Sequence, residues 1–176
     1  MAIHVETGNR IGEADELGNL GNIYLDQGDL TKAEDHLQQT LAIYRGTSNL
    51  LGVANALGGL GNVYKNQDDL TKAEDQHQQA LAIDRQIGHR LGEAQDLGGL
   101  GLVAEKQADI KKSCRLLKEA LQIFETIGAS AEVDQTRKHL ARLGCDEDGE
   151  GRSGGPPLLY CTPPVAVPHV QRRHPP

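Results

Sequence analysis

What most limits the folds open to this chain is that it repeats itself. Residues 11–44, 51–84 and 91–124 align without a gap at an offset of 40, so that Leu20-Gly21, Leu60-Gly61 and Leu100-Gly101 share one phase and Ala33, Ala73 and Ser113 another. A fixed period of this size marks stacked supersecondary units, each of which buries its apolar face only against its neighbours. Within the first copy, Ala14, Leu17, Leu20, Gly21 and Tyr24 fall on one helical face. After a break at Gln27-Gly28-Asp29 the pattern resumes through Ala33, Leu37, Leu41 and Ile43. Each unit is therefore a helix hairpin. Asp29, Asp69 and Asp109 are competent N-caps for the second helix, and Thr31 to Glu34 and Thr71 to Glu74 match a capping box two residues on, so two starts remain open.

Glycine inside a helix costs about 1 kcal/mol relative to alanine. Its recurrence in phase at Gly18 and Gly21, Gly58 and Gly61, and Gly98 and Gly101 therefore needs a cause. Close approach of the two helices of a hairpin supplies one, with Gly21, Gly61 and Gly101 opposite Ala33, Ala73 and Ser113.

The spacing Leu17-x-x-Leu20-Gly21-x-x-Tyr24 followed by Ala33-x-x-x-Leu37 resembles the tetratricopeptide signature, with Leu where that family prefers bulkier side chains. The 40-residue period and the absence of the closing Pro depart from the 34-residue form, which implies longer hairpins joined through Arg45 to Asn49 and Gln86 to His89. Such units resemble those of the LGN/Pins type, on the strength of Leu17-Gly18-Asn19-Leu20-Gly21-Asn22, and more distantly those of kinesin light chain and of bacterial signalling repeat proteins. The resemblance implies an all-α fold, a right-handed α-solenoid of about three helix-turn-helix repeats with a C-terminal capping helix.

The expected layout places the end of a truncated repeat at 1–10, because Ala2-Ile3-His4 aligns with Ala42-Ile43-Tyr44 one period on. Repeats follow at 11–46, 51–86 and 91–127, then a capping helix at 130–143 closed by Gly144. A chain that opens inside a unit is expected to be a fragment of a longer array or to pair with another copy through that end. All seven prolines lie between Pro156 and Pro176, so residues 145–176 are expected to be a disordered Pro/Gly-rich tail.

Composition removes several function classes. With 18 Lys and Arg against 25 Asp and Glu, the net charge of -7 opposes a phosphate-tracking surface, so no nucleic-acid partner is expected. No apolar run is long enough for a membrane helix and no basic-then-apolar leader opens the chain, which points to the cytoplasm. Cys114, Cys145 and Cys161 show no paired spacing, so neither a disulfide framework nor a zinc site is expected. No catalytic motif, metal-ligand spacing or cofactor motif is present. Gly58-Gly59-x-Gly61 and Gly98-Gly99-x-Gly101 repeat inside a helix without a following Lys-Ser or Lys-Thr, unlike a phosphate loop. His77, at the phase of Leu37 and Leu117, is expected to be half-buried with a local hydrogen-bond partner, and Cys114 to be ordinary packing.

What remains is a binding surface. First helices line the concave side of such arrays, and the face opposite Leu17 and Leu20 presents Asp15, Asn19, Asn22 and Asp26 in the first unit. The second presents Asn55, Asn62, Lys65 and Asn66, and the third Gln95 and Leu102. An Asn offers both a donor and an acceptor, so residues one repeat apart can bond the backbone of an extended peptide whatever its sequence. The family resemblance carries that role to Asn22 and Asn62. The expected function is a non-enzymatic protein-interaction scaffold holding a partner's peptide in the groove. The alternative is a structural spacer or self-assembly element of a larger signalling protein.

Overall fold

A computed structural model describes residues 2–145, with side chains from residue 10 onward; of the tail expected at 145–176 only Cys145 is described, and the rest, including Cys161, lies outside the described residues. The chain forms α1 (Ala2–Gln27), α2 (Leu30–Gly46), α3 (Leu50–Asn66), α4 (Leu70–Ile87), α5 (Arg90–Lys106), α6 (Ile110–Ile127) and α7 (Ser130–Leu143). Helices pair as α1 with α2, α3 with α4 and α5 with α6, each hairpin stacks on the next, and α7 packs on α6. This is the all-α solenoid of three hairpins and a capping helix that the repeat implies.

The second helices begin at the aspartates. Asp29, Asp69 and Asp109 accept hydrogen bonds from the backbone N–H groups of Lys32, Lys72 and Lys112 at 3.3, 3.2 and 3.0 Å, which settles the choice against the threonine boxes. Each of these helices is preceded by a residue at positive φ: Gly28 at 79°, Asp68 at 60° and Ala108 at 62°. Only the first unit places glycine there. An alanine in the left-handed region carries Cβ strain that glycine lacks.

The core is built from small side chains at the crossings and aliphatic ones between them. Ala14, Ala33, Ala73, Ala80, Ala94, Ala104 and Ala120 have no exposed surface, which lets the helix axes approach. One apolar cluster runs through α1 to α4 and takes in Val103 of α5, and a second joins α4 to α5, α6 and α7. The first helix departs from its copies. Leu20 and Ile23 are 42% and 49% exposed, whereas Leu60, Val63, Leu100 and Val103, at the same phases, are between 0% and 6% exposed. The second helix of the preceding unit covers the later copies, and no helix precedes α1 among the described residues. Helix α1 also runs unbroken from Ala2, through the stretch that the repeat register aligns with the turn at 47–49.

Cysteine pairing overturns the sequence expectation. Cys114, fully buried in α6, is bonded to Cys145, just beyond the Gly144 cap of α7, with S–S 2.01 Å. Because α7 folds back on α6, its end returns to the first turns of α6, and two cysteines 31 residues apart become neighbours. No spacing rule reveals such a pair.

Two outcomes follow. Ala108→Gly should raise stability by about 0.5–1 kcal/mol in urea titration, since the strain relieved exceeds the extra freedom of the unfolded chain. Reduction, or Cys145→Ser, should lower stability by about 3.5–4 kcal/mol for a closed segment of this length, with amide exchange in α7 accelerating before that in α1 to α4; unchanged exchange in α7 would show that the bond does not hold the cap.

Candidate functional site

The concave surface is defined by one recurring insertion. In each unit the side chain at the phase of Leu37 reaches from the second helix toward a glycine of its own first helix. A Cβ on Gly21 would stand 2.8 Å from Leu37 Cγ and one on Gly101 would stand 2.9 Å from Leu117 Cγ. The carbonyls of Ala33 and Ser113 come next at 3.5 Å, so the glycines first make room for the leucines rather than for the residues opposite them. The same side chain meets the first helix of the following unit: a Cβ on Gly59 would lie 3.2 Å from the Leu37 methyls. In the first two units glycine on both sides thus seats this residue between successive first helices, as the floor of the groove.

Above that floor lie two hollows of about 640 and 280 Å³ that share Asn22 and Asn55. Asn22, Asn55, Asn62, Gln95 and Leu102 line the larger, and Asp15, Asn19, Asn22 and Asn55 the smaller. Seven of the ten residues singled out from sequence therefore share one surface, with Asn22 and Asn55 bordering both hollows. Asp26, Lys65 and Asn66 line neither. Lys65 bears on the site indirectly. Its half-buried ammonium donates to Asn62 Oδ1 at 2.9 Å, and burial, with the Lys106 charge beside it, pushes its pKa below the usual lysine value. Asp15 accepts a short hydrogen bond from the Tyr44 hydroxyl. Burial and this carboxylate raise the Tyr44 pKa to about 12, so the phenol remains a donor at any physiological pH.

The second unit departs from the other two in a way that sequence reasoning missed. His77 replaces the leucine of the floor and is 2% exposed, more buried than expected. Its Nδ1 lies 3.0 Å from Asp96 Oδ1, while Nε2 has no partner. Asp96 stands at the phase of Ala56, and Asp84 at that of Tyr44 and Phe124, so a carboxylate occupies a position that is aromatic in both other units. Asp84 rests on Gly92 as the Tyr44 ring rests on Gly52, and its Oδ1 is 3.1 Å from His89 Nδ1. It thereby lies over the first turn of α5, where unpaired N–H groups favour an anion. Both carboxyls are held above the usual range by burial; the hydrogen bonds from His89 to Asp84 and from His77 to Asp96 oppose the rise, and the Asp84 charge adds to it at Asp96. The signal was available in the register, as three polar residues at phases that are apolar in at least one other unit.

Among the described residues no group of three or more His, Cys, Asp or Glu side chains could hold a metal ion, and no helix is long and apolar enough to cross a membrane.

Comparison with known proteins gives a consistent picture. A family model described as Tetratricopeptide repeat matches residues 12–86 and again residues 52–126, one period on. Among solved structures, the crystal structure of BtubC (BKLC) from P. vanneervenii superposes with a TM-score of 0.56 at 14% identity, over 92% of this chain and 71% of the other, a likeness of fold. No curated protein matches the sequence.

The double variant His77→Leu, Asp96→Ala, which takes the leucine of the other two floors and the alanine of Ala56, should stabilise the array by on the order of 1–4 kcal/mol at neutral pH, measured by urea denaturation, because a buried polar pair gives way to an apolar contact with a glycine seat already in place. The Asp96 pKa is higher folded than unfolded, so the wild type sheds the cost of that charge as pH falls through the raised value. The advantage of the variant should shrink accordingly; a gain that grows on acidification would contradict this account.

Proposed function

The chain belongs to the tetratricopeptide repeat family, and from that premise we propose that its solenoid is a protein–protein interaction scaffold that holds an extended peptide segment of a partner in the concave groove. Tetratricopeptide repeats mediate protein–protein contacts, and the groove fits this use. The observation that carries the reading is the amide-rich lining of one continuous hollow by Asn22, Asn55, Asn62 and Gln95, drawn from three successive first helices. Such a row bonds peptide backbone through paired donors and acceptors, which gives affinity without demanding one sequence. Asn62 enters this work already oriented by Lys65. In this reading the protein is a non-enzymatic scaffold that uses no cofactor or metal. The acidic balance supports protein rather than nucleic-acid partners.

A cytoplasmic location is part of this reading, and it sets a condition. In a reducing compartment Cys114 and Cys145 are thiols, so the α7 cap is held by Val133, Thr136 and Leu140 and by the pairing of Arg142 and His139 with Glu105.

The exposed face of Leu20 and Ile23 favours a second use, pairing with another copy through α1, as a spacer or assembly element of a longer signalling protein would. The two uses separate experimentally. Peptide display against the full chain should enrich a common motif that is lost when Asn22→Ala and Asn62→Ala are combined. Sedimentation velocity should report a monomer. No enrichment, together with concentration-dependent dimers abolished by Leu20→Glu, would replace the groove reading with the assembly one.

A further inference from the structure

The junction between the second and third units holds a feature the groove reading does not use. Asp84 and Asp96, 2% and 5% exposed, both line the larger hollow, as do His77 and, from α7, Glu132. No lysine or arginine is among the described residues that line it. Among the described residues its basic side chains are His77 and His139, and the latter is engaged with Glu105 at 2.6 Å. Where the Tyr44 ring packs over Gly52 in the first unit, the second unit sets the carboxylate of Asp84 over Gly92, so a charged group borders the hollow at a phase that is aromatic in the other units. Gly98 adds open room, since a Cβ there would meet nothing within 4 Å.

A second observation is independent of the carboxylates. His77 Nε2 is buried without a partner, at the tip of a ring wedged between α3 and α5, where a Cβ on Gly61 or on Gly99 would come within 2.7 or 2.6 Å of it. With Nδ1 facing a carboxylate, the proton belongs on Nδ1, and Nε2 is an acceptor awaiting a donor. Buried polar atoms are almost always paired, and the ones that are not point to a missing partner. His77 Nε2 lacks a donor, and Asp84 and Asp96 are each met by a histidine but by no lysine or arginine among the described lining residues, so N–H donors bearing positive charge suit both features.

We propose that this hollow is a specificity pocket that takes a lysine or arginine side chain of the bound peptide, its cationic head between Asp84 and Asp96. The proposal rests on the groove reading for the source of the side chain but not for the pocket's chemistry. In this division of labour the asparagine row holds the backbone of any extended segment, and the pocket selects among segments by charge, because a glutamate placed there would face carboxylates and a leucine would offer them neither charge nor donor.

The test uses the full chain and small probes, so that it stands apart from peptide selection. N-acetyl-arginine N-methylamide and its lysine counterpart are titrated by NMR, with the citrulline compound as the neutral isostere and the glutamate compound as the opposite charge. Saturable shifts at the amides of Gly92, Gly98 and Gly99 are expected for at least one cationic probe, with binding weaker by about tenfold or more for citrulline and undetectable for glutamate. Asp84→Tyr, which restores the aromatic of the other units, should abolish the response while the far-ultraviolet spectrum stays helical; Asp84→Asn, nearly isosteric, should weaken it. Citrulline matching arginine, cation binding that survives in both variants, or no saturation with either cation would overturn the pocket. In the display experiment, peptides that depend on Asn22 and Asn62 yet lack a basic residue would leave the groove standing and remove the pocket. Saturable cation binding with no peptide enriched would do the reverse.

Discussion

The insertion of one side chain per unit against glycine, between two glycines in the first and second units, is the contact on which the rest of the structure depends. Leu37 touches Gly21 of its own hairpin and Gly59 of the next, so a single residue fixes both the crossing within a unit and the stacking between units. A nearest-neighbour solenoid has no long-range contacts to fall back on. Any side chain on those glycines would press apart the two first helices and the second helix together, which explains why helix-weakening residues recur at the phase where they do most local harm. The cost in helix propensity is offset by contact that only bare backbone permits.

That same seat makes the array tolerant of a change in chemistry. A histidine fits between Gly61 and Gly99 because the space was already cleared for a leucine, and its ring reaches Asp96 on the neighbouring helix without displacing backbone. One polar substitution then requires another. A buried carboxylate without a donor is costly, so Asp96 is tied to His77 and Asp84 to His89. The second unit thereby trades part of its apolar packing for a polar interior opening on the groove, while the first and third keep Leu and aromatic residues at the equivalent places.

The sequence carried the fold because periodicity is a backbone-level signal. The phases of Leu60, Gly61, Ala73 and Leu81 repeat, and the interior of a solenoid is a repeat of one interface. It also carried the face that Asp15, Asn19, Asn22, Asn55, Asn62, Gln95 and Leu102 share, since helical phase alone decides it. Asp26, Lys65 and Asn66 lie toward the ends of their first helices, outside the hollows, and phase does not report position along the groove. The helix starts were undecided until geometry was available, since capping by Asp29 or by Thr31 differs by a fraction of a turn. The Cys114–Cys145 pair was illegible for another reason: it depends on how far α7 runs back along α6, a property of packing rather than of spacing.

The exposed edge of α1 and the polar junction lie at different places for a common reason. In a linear array each interface is built once and copied, and function enters where the copy is altered or left open. At α1, Leu20 and Ile23 retain the apolar identity their copies use for packing but meet no helix, so the altered element is the neighbour. At the junction of the second and third units the neighbour is present and the residues are altered instead. Comparing a repeat protein with itself therefore separates two kinds of surface that exposure alone confuses. An apolar residue exposed at one phase and buried at its copies marks a missing partner of the same architecture. A polar residue buried at a phase that is apolar in its copies marks a site whose chemistry was changed while its architecture was kept.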